Sequence, residues 1–187
     1  QAKFLELVHR LDRDTSGLVM VARKRSALVV LQNQMRHKQV RKTYHALVAG
    51  DWPGELKQMD QALLRYETAS GERRVRIDEA GKESLTRFRV LERFSGYTLV
   101  EASPVTGRTH QIRVHAAAAG HPIAGDSKYM DDASNRAFRQ VGGTRLMLHA
   151  AALAITPPGE EKKVRFEAPQ ERLFAQILKA LRERKTR

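Results

Sequence analysis

Apolar and charged residues alternate in the middle of the chain, a pattern typical of β-strands that bury one face. Residues 74–77 read Arg-Val-Arg-Ile, and a second alternating run follows at 86–90. A further strand is predicted at 97–101, and the Phe-Ser-Gly segment at 94–96 indicates that it forms a hairpin with the strand before it.

Continuous apolar runs predict buried strands near both ends of the chain. They lie at residues 18–22, 44–49 and 146–155. The last run ends at a Pro-Pro-Gly turn, and residues 163–167 supply its hairpin partner.

Helical spacing occurs in three segments. Ser26 is the expected N-cap of the first helix, and residues 108–119 fit a second helix that ends at Gly120. The third is C-terminal, with an apolar face made of Leu173, Phe174, Ile177, Leu178 and Leu181. Residues 125–144 predict a loop with at most a short helix.

Strands joined mainly by hairpins, with few helices between them, predict an α+β fold: a mixed, largely antiparallel β-sheet with helices on its faces.

The composition of the chain indicates what kind of partner it binds. The 187 residues fit one domain, and 34 basic against 21 acidic side chains give a net charge of +13, with a pI near 10.5. Residues 1–45 hold ten basic and three acidic side chains, more than half of this excess. A strongly basic chain indicates a polyanionic partner.

Other features exclude classes of protein. No apolar run approaches the roughly 18 residues of a transmembrane helix, and the mean hydropathy is −0.52. The chain has no cysteine, which excludes disulfides, cysteine-ligated zinc, iron–sulfur clusters and thiol nucleophiles. It also agrees with a reducing compartment.

The densest polar segment runs from His9 to Gly17 and reads HRLDRDTSG. Asp, Thr, Ser and Gly are ordinary turn residues, so a polar turn before a strand would explain them. Asp12 stands out because Arg10 and Arg13 lie beside it, and nearby positive charge favours an ionised carboxylate. Such a group can act as a nucleophile or a base.

A second polar cluster covers residues 108–115. His110 and His115 are separated by about 140° around a helix and do not share a face, so the pair does not predict a zinc site. The alternatives are an amphipathic helix with solvated polar side chains or a functional surface.

A third cluster, Arg41-Lys42-Thr43-Tyr44, has two interpretations. It can begin a strand with an interfacial tyrosine, or it can stack a base beside cations that hold its phosphate. His149, within the apolar run, is interpreted as a hydrogen-bonded core residue.

Together these segments resemble the RluA-type family of pseudouridine synthases, over essentially the whole chain. The resemblance rests on His9-Arg10-Leu11-Asp12 with Thr15-Ser16-Gly17, on Lys42-Thr43-Tyr44, on Gly107 to His115, on Gly120-His121-Pro122-Ile123 and on Leu148-His149-Ala150. It implies the catalytic fold of these enzymes and their cofactor-free reaction, in which the N1–C1′ bond of a uridine breaks, the uracil turns and C5 bonds to C1′.

The resemblance also implies roles for individual residues. Asp12 is the catalytic aspartate, Arg113 its ion-pair partner, Tyr44 packs on the target base and assists proton removal at C5, Arg10 holds the flipped-out nucleotide, and Leu148 lines the uracil pocket. With the basic clusters, it assigns Arg41, Lys42, Arg108 and His110 to RNA binding. The expected partner is large-subunit (23S) ribosomal RNA, with no membrane, and the expected state is a cytoplasmic monomer.

The expected domain is a single catalytic domain over residues 1–187. It is expected to be a fragment, because the family's first strand, which ends near a Lys-Pro-x-Gly turn, and an N-terminal S4 RNA-binding domain do not precede the Asp12 motif.

Two other classes remain open at this point. One is a basic rRNA-binding or assembly module without catalysis, which would gain nothing from a carboxylate in its most basic region. The other is a metal-dependent nuclease or phosphodiesterase, which no motif favours.

Overall fold

The computed structural model describes residues 3–185, so the expected domain range of 1–187 extends two residues beyond it at each end. Eleven strands and four helices occur in this part of the chain. They are β1 (Glu6–Leu7), β2 (Ser16–Gly17), β3 (Val21–Ala22), α1 (Arg25–Arg36), β4 (Arg41–Ala49), β5 (Gln58–Met59), β6 (Leu63–Glu67), β7 (Arg73–Ile77), β8 (Thr86–Phe94), β9 (Tyr97–Pro104), α2 (Gln111–Ala118), α3 (Asp132–Gln140), β10 (Leu148–Ile155), β11 (Val164–Glu167) and α4 (Arg172–Lys185).

One mixed sheet organises the molecule. Its strand order is β11-β10-β4-β9-β8-β5, with every neighbouring pair antiparallel, and β2 joins β10 as the parallel exception. This arrangement confirms the predicted α+β fold with a largely antiparallel sheet. The alternating run at 86–90 and the strand predicted at 97–101 lie in β8 and β9, which form the predicted hairpin around Gly96.

The core lies where the central strands meet the helices. All eight residues of β10 are buried, with Leu148 in the cluster that contains the α4 residues and Ile155 in the cluster that contains Leu31 of α1. Phe174, Ile177, Leu178 and Leu181 of α4 join the same core, as predicted, whereas Leu173 is 44% exposed. Leu173 lies in the first turn of α4 and is exposed, so its predicted place on the buried apolar face is wrong.

Three local predictions need correction. Residues 18–22 do not form a buried strand: only Val21–Ala22 pairs, with β1, and Val19 and Val21 stay exposed. Ser26 lies inside α1, whose N-cap is Lys24 without a side-chain hydrogen bond. The second helix begins at Gln111 rather than at residue 108, because His110 has a left-handed backbone (φ 53°).

The alternating run at 74–77 forms a strand, as predicted, but outside the main sheet. It lies in β7, which pairs with β6 in a separate two-stranded ribbon. This β6–β7 hairpin stands beside the N-terminal end of α2 and becomes one wall of the site described below.

Candidate active site

Asp12 lies in a tight turn that leads into β2. The Thr15 backbone N–H donates to the Asp12 carbonyl oxygen (3.1 Å), and Asp14 adopts a left-handed backbone (φ 69°). The chain then runs against β10, where a Cβ on Gly17 would lie 2.1 Å from the carbonyl oxygen of Ala150. Glycine is therefore required at position 17 for the turn to approach β10 this closely.

Two histidines anchor this turn from either end. The Met20 backbone N–H donates to His9 Nε2 (3.0 Å), and the His149 ring contacts Ser16 Oγ (2.8 Å) and the Ala168 carbonyl oxygen (3.2 Å). Burial, with the charge of Lys42, lowers the pKa of His9 to about 4, so His9 is a neutral acceptor. The interpretation of His149 as a hydrogen-bonded core residue is confirmed.

Arg113 lies behind Asp12 and contacts two carboxylates. Its Nε and one terminal nitrogen donate to the oxygens of Asp126 at 2.8 and 2.7 Å, and the other terminal nitrogen lies 3.6 Å from Asp12 Oδ2. Burial alone would lower the pKa of Arg113, but the hydrogen bonds and charge of Asp126, with the charge of Asp12, raise it overall. Arg113 therefore stays charged while buried.

Asp126 is the partner that the sequence did not single out. It is fully buried and also accepts hydrogen bonds from the backbone N–H groups of Lys128 (3.0 Å) and Tyr129 (3.3 Å). Its place in a Gly- and Asp-rich loop carries no periodic signal. A carboxylate three residues after the apolar Ile123, in an Ala-Gly-Asp turn, was the only available hint.

Asp12 faces a small cavity of about 100 Å³, which we call the small cavity. Tyr44, Ile112 and Leu148 form its apolar walls. Among the described residues that line it, Asp12 is the sole carboxylate. Three residues from distant parts of the sequence, Asp12, Tyr44 and Leu148, therefore converge as the resemblance implied.

The small cavity opens into a larger cavity of about 810 Å³, which we call the basic groove. The β6–β7 hairpin forms one wall, and the turn around Asp12 forms another. Eight cationic side chains line it, against the two carboxylates of Asp12 and Glu67: Arg10, Arg13, Lys42, Arg65, Arg73, Arg74, Arg108 and Lys128. A surface of this charge attracts a polyanion and focuses it on Asp12.

Of the predicted RNA-binding residues, Arg10, Lys42, Arg108 and His110 line both cavities. Arg41 does not: it begins β4, is exposed and lies in the lining of neither cavity. A one-residue step along a strand turns a side chain to the opposite face, which separates Arg41 from Lys42.

Burial shifts the pKa values of two further residues that line the cavity, Tyr44 and Lys42. It raises the pKa of Tyr44 to about 12, with help from the negative charge of Asp12, so the phenol is protonated at neutral pH. It lowers the pKa of Lys42, whose ammonium group lies in the cavity lining without a hydrogen-bond partner among residues 3–185. Lys42 is therefore available to an anionic ligand.

Within the described residues, no group of three or more His, Asp or Glu side chains is arranged to hold a metal ion. In the same part of the chain, no helix is both long and apolar enough to span a membrane.

The site thus consists of an Asp–Arg pair at a small, partly apolar cavity that adjoins a cationic groove. A family model described as RNA pseudouridylate synthase matches residues 1–118. The chain belongs to this family, as its motifs had indicated.

Relatives with known names agree. The chain is 54% identical over 185 residues to ribosomal large subunit pseudouridine synthase C of Pasteurella multocida, and 52% identical over 184 residues to the protein of that name in Escherichia coli K12. These alignments cover 99% and 97% of this chain but 57% and 58% of the relatives. The chain thus spans somewhat more than half the length of these relatives.

Two solved structures share the fold. Human RNA pseudouridylate synthase domain containing 4 superposes with a TM-score of 0.77 at 27% identity, covering 95% of this chain and 76% of that one. Human RNA pseudouridylate synthase domain containing 1 gives a TM-score of 0.75 at 29% identity, covering 96% and 80%. The fold is therefore that of a pseudouridine synthase.

Proposed function

We propose that this chain isomerises uridines to pseudouridine in bacterial large-subunit (23S) ribosomal RNA, with Asp12 as the catalytic aspartate. The observation that carries the proposal is the position of Asp12, the one carboxylate of the small cavity, at the inner end of a groove lined by eight cations. The choice of large-subunit rRNA as the substrate rests on the names of the relatives.

The reaction leaves the composition of the nucleotide unchanged. The N1–C1′ bond breaks, the uracil turns, C5 bonds to C1′, and the proton lost from C5 is balanced by one gained at N1. The target must first leave the base stack, which costs a few kcal/mol. Phosphate contacts from Arg10 and Lys42 and packing of Tyr44 on the base offset this cost.

The apolar walls suit the middle of this sequence. A detached uracil has to stay in place while it rotates, and Leu148 and Ile112 give it apolar surface to turn against. Arg113 lies 3.6 Å from Asp12 Oδ2 and holds the carboxylate in place without entering the cavity lining itself. We further infer that the chain acts as a monomer in the bacterial cytoplasm. Light scattering on the purified protein tests whether it is a monomer.

The test is release of tritium from large-subunit rRNA labelled at C5 of uridine. Wild type should release tritium with or without EDTA, and Asp12→Asn should release none while still binding the RNA. Asp14→Asn is the matched control, because it makes the same change in the same turn outside both cavities, and asparagine tolerates its left-handed backbone.

Each result decides. Turnover of Asp12→Asn near that of wild type overturns the catalytic role of Asp12. No release by wild type contradicts isomerisation by this chain, and intact RNA binding would then favour a non-catalytic binding module.

A further inference from the structure

A half-buried tyrosine outside the predicted motifs joins the β6–β7 hairpin to the site. Tyr129 Oη accepts a hydrogen bond from the Val75 backbone N–H (3.0 Å) and lies 2.7 Å from His110 Nδ1. The rings of Tyr129 and His110 meet edge to face, with 5.5 Å between their centroids. Tyr129 therefore bridges β7 and the residue that precedes α2.

The direction of these hydrogen bonds follows from how many protons the Tyr129 hydroxyl and the His110 ring each carry. Burial is the main cause that raises the pKa of Tyr129 to about 12, so its hydroxyl keeps its single proton. Burial also lowers the pKa of His110, against the opposing charge of Asp12, so the ring is neutral.

Tyr129 Oη already accepts from Val75, so its own proton is free to go to His110 Nδ1, and the ring proton then lies on Nε2. The opposite assignment would leave the Tyr129 proton without an acceptor among residues 3–185.

His110 lies at the substrate region, and Nε2 is the ring nitrogen that Tyr129 leaves unbonded. His110 lines both the small cavity and the basic groove, and its Nε2 has no hydrogen-bond partner in the part of the chain that the structure describes. Arg10, Lys42 and Arg108 line the same two cavities. This group of cations suits the phosphate backbone of a flipped-out nucleotide.

We propose that Tyr129 is a positioning residue that holds His110 as its Nε2–H tautomer, so that His110 donates a hydrogen bond to a phosphate oxygen of the bound RNA at the junction of the two cavities. This inference rests on the proposed function, because it takes RNA to occupy the groove. The bond from Val75 makes the alignment depend on the hairpin: a displacement of β7 would release Tyr129 and His110 together.

The tautomer can be read directly in the free protein. Long-range ¹H–¹⁵N spectra of histidine-labelled protein distinguish Nε2–H from Nδ1–H, and the signal lost in His110→Gln assigns the ring. We expect the Nε2–H form in wild type and a mixture in Tyr129→Phe. Tyr97→Phe, which removes a hydroxyl outside both cavities, should leave the His110 signals unchanged. An Nδ1–H ring in wild type, or no change in Tyr129→Phe, overturns the proposal.

Binding of an unmodified large-subunit rRNA transcript tests whether His110 donates a hydrogen bond to phosphate. A glutamine amide can take the place of His Nε2, whereas an asparagine amide takes that of Nδ1. We expect His110→Gln to bind about tenfold more tightly than His110→Asn, the value of one hydrogen bond to a charged acceptor. Because asparagine suits the left-handed backbone better, this order cannot come from the backbone. Equal affinities overturn the phosphate contact.

The salt dependence adds a second readout. A neutral donor neutralises no phosphate, so the slope of log K against log[salt] should match wild type in both His110 variants. A slope reduced by about 0.7 or more would mean a charged histidine and contradict the assignment. The tautomer measurement needs no RNA and no turnover, so its failure is distinguishable from failure of the proposed function, which the tritium assay reports.

Discussion

Arg113 and Asp126 form a buried, two-point ion pair, with nitrogen–oxygen distances of 2.7 and 2.8 Å. This pair leaves one terminal nitrogen of Arg113 facing Asp12 at 3.6 Å. Two backbone N–H groups hold Asp126 in turn, so the guanidinium cannot rotate without breaking its two hydrogen bonds to a carboxylate that is itself fixed. The partner of the proposed catalytic aspartate is thus aligned by a second carboxylate.

Arg113→Met should both destabilise the fold and abolish isomerisation. It leaves Asp126 as a buried charge without its partner, which costs about 3–5 kcal/mol of unfolding free energy. Adding Asp126→Asn should recover much of that stability, since it removes the buried charge and keeps an oxygen that accepts from the Lys128 and Tyr129 N–H groups. Activity should stay absent, because Asp12 still lacks its cation. Urea unfolding and tritium release measure the two effects, and an active single variant would refute the role of the pair.

Tyr44→Phe should reduce turnover by about tenfold or more and change RNA affinity little, if at all. The phenol is protonated below its pKa of about 12, so it offers a hydroxyl proton and a ring face to the base. Phenylalanine keeps the face and loses the hydroxyl. Measurement of kcat and KM separates the two, and equal kcat values would restrict Tyr44 to stacking.

Gly17→Ala should destabilise the protein more than Gly96→Ala. Both glycines have positive φ, and nothing lies within 4 Å of a Cβ at Gly96, so that variant should cost about 1–2 kcal/mol of backbone strain. At Gly17 the added Cβ would also meet the Ala150 carbonyl oxygen at 2.1 Å and push β2 off β10. Equal midpoints in urea would show that this contact is not needed.

His9 should make stability depend on pH in the acid range. Its folded pKa of about 4 lies below the ordinary 6.5, so the unfolded chain binds a proton more readily. The stability from neutral His9 is therefore present above about pH 6.5 and is lost as pH falls towards 4. In His9→Gln, which can still accept from Met20, unfolding free energy should fall less over this range. A parallel pH dependence in both proteins would contradict the assignment.

The hairpin arginines should contribute to RNA affinity through charge. Arg65 and Arg73 are exposed and line the basic groove. Changing both to glutamine should weaken binding and lower the slope of log K against log[salt] by about 1 per residue. The same changes at Arg136 and Arg139 of α3, outside the groove lining, serve as the control. Identical slopes in the two double variants would remove the hairpin from the RNA interface.

Local patterns in the sequence determined most of the sheet and the identity of the central residues. Alternation placed a strand at 86–90, the Phe-Ser-Gly segment paired it with a strand at 97–101, and the apolar run at 146–155 was confirmed as the buried β10. Asp12, Tyr44 and Leu148 came from short motifs, and the structure brings them to one cavity. Such signals are readable because side-chain period and turn chemistry depend on neighbours along the chain.

Only the tertiary structure decided which residues support those motifs. Asp126 and Tyr129 lie in an aperiodic loop, and their roles arise from contacts with α2 and with β7. The exposure of Val21 and the separation of the β6–β7 hairpin from the main sheet follow equally from which strand finds a partner. A buried charge needs a partner, but which carboxylate supplies it depends on packing between segments far apart in sequence. No local pattern carries that information.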